Sequence, residues 1–171
     1  HQRNLHDEIL EKFEIGYAPN SNDALLNYFK TKGRNADELV DSGLESQRDS
    51  GQVFDRFRHR IMFPIRTADG KIAGFGGRIL NPDDVPKFLN SPQTLIFDKG
   101  KLLYGLQNAR KSIRSQNQAV IVEGYLDVLA LHQAGFTNVV SPMGTALTED
   151  QLHLIKGLTR RIVLALDPDS A

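Results

Sequence analysis

The last third of the chain constrains the fold most. Three short apolar runs, residues 119–122 (Ala-Val-Ile-Val), 138–140 (Asn-Val-Val) and 162–166 (Ile-Val-Leu-Ala-Leu), alternate with two segments of helical period, residues 124–134 and 148–156. Apolar runs without polar alternation are strands buried on both faces, which is how parallel sheets are built. Strand–helix–strand–helix–strand implies a parallel α/β sheet with right-handed crossovers. Gly135 closes the first helix, and Thr148 stands where a cap of the second belongs.

The first two thirds have another texture. Leu5, Ile9, Leu10 and Phe13 recur at helical intervals, and residues 16–20 (Gly-Tyr-Ala-Pro-Asn) break the pattern. A second helix is expected from a cap at Asn22 to about Lys32, with Gly33 as its stop, and a third from Asn35 to Gly43. Residues 47–52 are polar and loop-like. Residues 60–66 then form an apolar strand, Asp69-Gly70 a hairpin turn, and residues 71–80 the returning strand. Gly74, Gly76 and Gly77 are no dinucleotide fingerprint, because no helix follows them; they are expected to admit another backbone or a ligand. Residues 81–92 are a Pro- and Asp-rich loop, 105–114 a basic helix and 115–118 a polar linker. The fold class is therefore α/β: an α+β N-terminal subdomain over residues 1–118, then a parallel α/β part over 119–171.

Composition excludes several chemistries. There is no cysteine, so disulfide scaffolds, thiolate zinc sites and thiol catalysis are ruled out for this chain. No apolar run approaches the roughly 20 residues that cross a bilayer, and no signal-peptide core opens the sequence. A soluble, cytoplasmic protein is expected. The zero net charge hides a segregation. Residues 1–52 carry 6 Lys/Arg against 10 Asp/Glu, residues 53–118 carry 12 against 5, and residues 119–171 carry 3 against 6. A basic middle between acidic ends fits a surface for a polyanion beside an acidic site, although scattered solvated arginines would give the same count.

In an open parallel sheet, ligands bind at the carboxyl ends of the strands. Glu123 follows the first of these strands immediately, and Asp167 and Asp169 follow the third. Carboxylate oxygens at two strand ends suit Mg²⁺ or Mn²⁺, and an extended Asp-x-Asp points both side chains one way. An Asp after a strand also serves as an ordinary turn or cap residue. Asp127, one helical turn beyond Glu123, either orients it or is a charge favoured at a helix N-terminus. The five histidines show no ligand spacing.

Residues 122–128 (Val-Glu-Gly-Tyr-Leu-Asp-Val), 144–148 (Gly-Thr-Ala-Leu-Thr) and Asp167-x-Asp169 resemble the Toprim fold. Residues 60–65 (Arg-Ile-Met-Phe-Pro-Ile), 74–78 (Gly-Phe-Gly-Gly-Arg), 86–92 (Pro-Lys-Phe-Leu-Asn-Ser-Pro) and Lys99-Gly100-x-x-Leu103-Tyr104-Gly105 resemble the basic subdomain of bacterial replicative DNA primases, the DnaG family. Residues 13–19 match a further landmark, and the resemblance spans nearly the whole chain in order.

The resemblance implies template-directed synthesis of short RNA primers from ribonucleoside triphosphates on single-stranded DNA. It implies a two-metal Mg²⁺ or Mn²⁺ site held by Glu123, Asp167 and Asp169, with Asp127 in the catalytic group. It makes Arg60, Arg78, Lys87 and Lys99 the cations that hold template, triphosphate or RNA–DNA hybrid. Pro168 stands where the family usually has Gly. The family also implies segments outside this chain: an N-terminal zinc domain, further Toprim sheet, and a C-terminal domain that meets the replicative helicase. On that reading the chain is a fragment, weak or inactive alone, with an exposed last strand prone to self-association. Two other readings remain open at this level, a different Toprim enzyme such as a nuclease or topoisomerase, and a noncatalytic nucleic-acid-binding module.

Overall fold

The computed structural model describes residues 4–144 and 146–167. Its elements run α1 (Asp7–Lys12), β1 (Gly16–Ala18), α2 (Ala24–Thr31), α3 (Ala36–Asp41), β2 (Glu45–Gln47) and β3 (Val53–Asp55). They continue with β4 (Arg60–Arg66), β5 (Ile72–Ile79), β6 (Phe88–Asn90), a 3₁₀ turn (Lys99–Lys101) and α4 (Leu106–Gln116). The last are β7 (Ala119–Ile121), α5 (Tyr125–Gln133), β8 (Val139–Val140), α6 (Glu149–Lys156) and β9 (Ile162–Leu164). The chain forms two compact units. One comprises His1–Glu14, Ile65–Ile72 and Lys99–Ala171, the other Ile15–Pro64 and Ala73–Asp98.

The first unit contains the expected parallel sheet, in the order β8-β7-β9. Val120 pairs with Val139 on one side and Val163 on the other, so β7 is central. Its core gathers Leu103, Leu106, Ala109 and Ile113 from α4 and the segment before it, with Ala119, Ile121, Val140 and Ile155. Helix α1 packs on α5 through Phe13, whose ring meets His132 edge-on at 5.0 Å. These contacts place α1 and α4 in the same unit as the parallel sheet, so the compact units cut the chain differently from a division at 118/119. Residues 115–118 are less a linker than expected: α4 runs to Gln116, and Asn117 ends it in the left-handed region. Ile162, Val163 and Leu164 of β9 are all exposed.

The second unit holds most of a four-stranded sheet in the order β1-β4-β5-β6, and the β2–β3 hairpin. Two segments expected as irregular each carry a strand. The break at 16–20 contains β1, antiparallel to β4 with Tyr17 opposite Ile61. The loop at 81–92 contains β6, antiparallel to β5 with Arg78 opposite Phe88. Three-residue strands offer too short a pattern to show a period, and their pairing partners lie elsewhere in the chain. Helix α3 starts as expected, Asn35 and Glu38 forming a reciprocal capping box. Helix α2 does not start at an Asn22 cap. Its N-cap is Asp23, whose side chain caps nothing, and the Asp55 carboxylate accepts the Leu25 and Leu26 N–H groups instead, at 2.8 and 3.1 Å.

The glycines of β5 also differ from expectation. A Cβ at Gly74 would lie 2.6 Å from the Phe97 ring, and one at Gly77 2.9 Å from Phe57 and 3.0 Å from the Arg60 side chain. What comes close at these two positions is the unit's own side chains, Phe97 and Phe57 being buried. Packing, not access for a ligand or a second backbone, explains Gly74 and Gly77.

Candidate active site

Glu123 stands one residue beyond Val122 at the carboxyl end of β7, and the backbone that carries it is fixed from three sides. Its carbonyl accepts the Ser141 hydroxyl at 2.6 Å and the Gly144 N–H at 3.1 Å. Ser141 is fully buried just beyond β8, and its backbone exchanges two hydrogen bonds with Tyr104. On the third side Asp127 accepts the Gly124 N–H at 3.1 Å and closes the first turn of α5. Asp127 therefore both closes the start of α5 and holds the backbone next to Glu123, so the two alternatives open in the sequence meet in one hydrogen bond.

The side chain of Glu123 reaches across to the third strand. Its Oε1 accepts the backbone N–H of Asp167 at 2.9 Å. Sheet pairing prepares this contact, because the Ala165 N–H donates to the Ile121 carbonyl just beyond β9. The structure thus brings two of the expected ligands, Glu123 and Asp167, to neighbouring strand ends. Asp169 and Pro168 lie outside the described residues. Among the described residues no group of three or more His, Asp or Glu side chains is assembled as a metal cage. The donors at hand are hard carboxylate oxygens, which fit Mg²⁺ or Mn²⁺ and not a soft metal.

Lys99 lies in the same unit, in the 3₁₀ turn. Fully buried Gln151 donates to the Lys99 carbonyl at 3.0 Å and the Leu102 carbonyl at 2.9 Å, while the Thr148 hydroxyl donates to the Gly100 carbonyl at 2.5 Å. The Lys99 amine is half-buried, and burial lowers its pKa. Thr148 caps α6 as its sequence position implies, whereas the roles of Gln151 and Ser141 were not among the expectations. The signal for Gln151 was present, three residues after the cap as a capping box requires. For Ser141 only its place after a strand was visible.

In the second unit the arginines divide between surface and interior. Arg60 is expected as a phosphate contact, yet it is 94% buried at 6% exposure, and its Nη1 donates to the Pro86 carbonyl at 2.9 Å. Burial lowers its pKa. Arg56 holds the other end of the same segment, Nε and Nη2 both donating to the Asn90 carbonyl at 3.2 and 2.9 Å. The two guanidiniums grip β6 at both ends, which gives Arg60 an internal positioning role. Lys87 and Phe88 are exposed, and Arg78 is half-buried. The Arg78 guanidinium lies 5.2 Å and the Lys87 amine 6.0 Å from the centre of the Phe88 ring. An exposed ring between two cations suits a strand of phosphates and bases.

Residues 1–110 match the family described as DNA primase catalytic core, N-terminal domain. The chain belongs to the DNA primase catalytic-core family. Residues 117–171 match the Toprim domain. Relatives of this primase-family chain include the DNA primase of Deinococcus radiodurans, 47% identical over 171 residues, and that of Escherichia coli K12, 42% identical over 170. Each alignment covers 99% of this chain but only 30% and 29% of those proteins, so the chain spans about three-tenths of their length. Among solved structures, the RNA polymerase domain of Mycobacterium tuberculosis primase DnaG matches with a TM-score of 0.91 at 36% identity, over 99% of this chain and 57% of that one. The E. coli primase catalytic core matches with a TM-score of 0.87 at 42% identity, over 95% and 52%. A DnaG primase catalytic domain bound to single-stranded DNA matches with a TM-score of 0.86 at 42% identity, over 95% and 52%.

Proposed function

We propose that this chain is the matched part of a primase that joins ribonucleotides into short RNA primers on single-stranded DNA by divalent-metal-dependent nucleotidyl transfer. The observation that carries the reading is the bond from the Asp167 N–H to the Glu123 carboxylate, which joins the carboxyl ends of β7 and β9. Two acidic residues at the carboxyl ends of adjacent parallel strands stand where such sheets bind their ligands.

Glu123, Asp167 and Asp169 would hold the metal. A divalent cation held there would supply charge stabilisation for the transferred phosphoryl group and acidify the attacking primer hydroxyl. The chain's own residues prepare that chemistry. Ser141, Gly144 and Asp127 hold Glu123 in place before substrate arrives. Arg78 and Lys87 offer cations to template or triphosphate, Lys99 offers a half-buried one, and Arg60 and Arg56 hold β6 in the place that exposes Lys87. In the same reading the protein works in the cytoplasm at the replication fork. A zinc domain and a domain that meets the helicase would lie in the rest of the whole protein.

Incorporation of labelled ribonucleotides on a single-stranded template tests the reading. The intact protein makes short RNA in Mg²⁺ or Mn²⁺, and Glu123→Gln or Asp167→Asn loses synthesis by about 100-fold or more. Full synthesis by both variants contradicts the reading, and so does metal-independent synthesis.

A further inference from the structure

Glu45 and Asp55 stand directly opposite each other on the β2–β3 hairpin. Both are almost completely buried, at 2% and 3% exposure. Asp55 has partners, since its two oxygens accept the Leu25 and Leu26 N–H groups and so cap α2. A negative charge is favoured there by the helix dipole. Glu45 has no such donors. Both its carboxyl oxygens are buried, and among the described residues no hydrogen-bond donor reaches either.

A buried, ionised and unsatisfied carboxylate beside a second carboxylate is strongly disfavoured. A protonated one is not, because its O–H is a donor and the opposed carboxylate an acceptor. Burial, the Asp55 charge and a hydrogen bond with Asp55 together push the Glu45 pKa up to about 8. Among the described residues no countercharge acts on Glu45. Helix α2 packs on β3 and α3 on β2, and their ionisable side chains, Tyr28 and Lys30 on α2 and Asp37, Glu38 and Asp41 on α3, are exposed. Arg48 and Asp49 in the hairpin turn are exposed as well. Arg56 donates to the Ser46 hydroxyl and the Asn90 carbonyl, and Arg58 to the Asp55 backbone carbonyl.

We propose that Glu45 is kept as a neutral carboxylic acid whose O–H donates to the Asp55 carboxylate, so that one shared proton ties the β2–β3 hairpin to the start of α2 and makes this unit loosen as pH rises. The sign follows from linkage. The folded unit holds this proton more tightly than the unfolded chain, so the stabilisation is complete in acid and is lost progressively as pH climbs from 4.5 towards 8. Most acid-sensitive carboxylates behave the opposite way. The same proton acts on the strand that leads into Arg56 and Arg58, so it also sets how firmly the arginine-rich segment is anchored.

Hydrogen exchange of the full-length protein, corrected for intrinsic rates, tests this on peptides covering α2 and the hairpin. Between pH 6 and 9 the wild type should lose protection there by about tenfold or more, while Glu45→Gln, which keeps shape and a donor, should change by less than about twofold. In wild-type protein carrying ¹³C-carboxyl glutamate, one signal should titrate near pH 8. That reading stands even if the variant fails to fold. A wild-type carboxyl set that titrates wholly near 4.5 overturns the proposal. So does a variant that keeps the wild-type pH dependence. Protection restored at pH 9 by added Mg²⁺ and removed by a chelator would show a cation in the proton's place, and would overturn it too.

Discussion

The Asp167 backbone N–H lies 2.9 Å from Oε1 of Glu123 and donates to it. One carboxylate is thereby oriented by the backbone of the residue that carries the other. A substitution at Glu123 therefore acts on both strand ends, whereas the backbone of residue 167 is fixed relative to Glu123 whatever its own side chain is.

Glu123→Gln keeps an oxygen for the Asp167 N–H, so the fold should persist while metal-dependent synthesis falls. Ser141→Ala is the informative companion. It leaves the Glu123 carbonyl with the Gly144 N–H alone, and should cost about 1–2 kcal/mol of stability and about 10- to 100-fold in synthesis. Urea unfolding and primer-synthesis rates measured on the two variants would separate ligand from support. Equal synthesis by Ser141→Ala and wild type would contradict the positioning role.

Asp127 tests the same distinction. Asp127→Ala removes the acceptor for the Gly124 N–H and should cost about 1 kcal/mol, whereas Asp127→Asn retains an acceptor and should recover most of the loss. If Asp127 touched the reacting atoms, Asn would rescue stability but not synthesis.

Gly77→Ala places a methyl 2.9 Å from Phe57 and 3.0 Å from Arg60. Overpacking of this kind should destabilise the second unit by about 1–3 kcal/mol, read as a lower denaturation midpoint. A ligand-access role predicts instead an unchanged midpoint with weakened DNA binding.

Lys87→Ala and Arg78→Ala should weaken single-stranded DNA binding for every sequence tried. Each should also reduce the slope of log affinity against log salt by about 0.7, the single-strand value per phosphate contact. Arg60→Ala should act through stability, because its guanidinium is turned to the Pro86 carbonyl. Binding isotherms at several salt concentrations distinguish the two effects, since a folded Arg60→Ala protein keeps the wild-type slope.

His132 makes the first unit acid-sensitive. Its Nε2–H donates to the Val139 carbonyl at 3.0 Å, Nδ1 is buried without a partner among the described residues, and burial lowers its pKa, with Lys12 adding to the fall. The unfolded imidazole binds a proton more readily than the folded one, so stability is lost as pH falls through the unfolded value of about 6.5. Hydrogen exchange at α5 should therefore quicken towards pH 5.5, while α2 in the other unit quickens towards pH 9. Replacement of His132 by Gln should remove the acid response alone.

The parallel sheet was legible because β7, α5, β8, α6 and β9 each carry their own pattern and join through short connections. The position of Glu123 and Asp167 at strand ends was legible for the same reason, since each follows an apolar run immediately. Other features depend on partners far along the chain, which no local pattern reveals. Asp55 caps a helix 30 residues before it, β1 pairs with residues some 44 positions later, and Gly74 is made necessary by Phe97. The family resemblance implied a nucleic-acid contact for Arg60, and the charge count agreed with it, because neither can tell a guanidinium facing solvent from one facing the Pro86 carbonyl. Glu45 gave no signal at all, since a single Glu in a polar stretch reads as exposed until its neighbour across the hairpin is known.

The most direct measurement is Mn²⁺ binding to the intact protein, followed by electron paramagnetic resonance, in wild type and Glu123→Gln. The variant should bind Mn²⁺ at least about tenfold more weakly while its affinity for single-stranded DNA stays within about twofold. Unchanged Mn²⁺ affinity in a folded Glu123→Gln protein would contradict the assignment of the metal to the ends of β7 and β9.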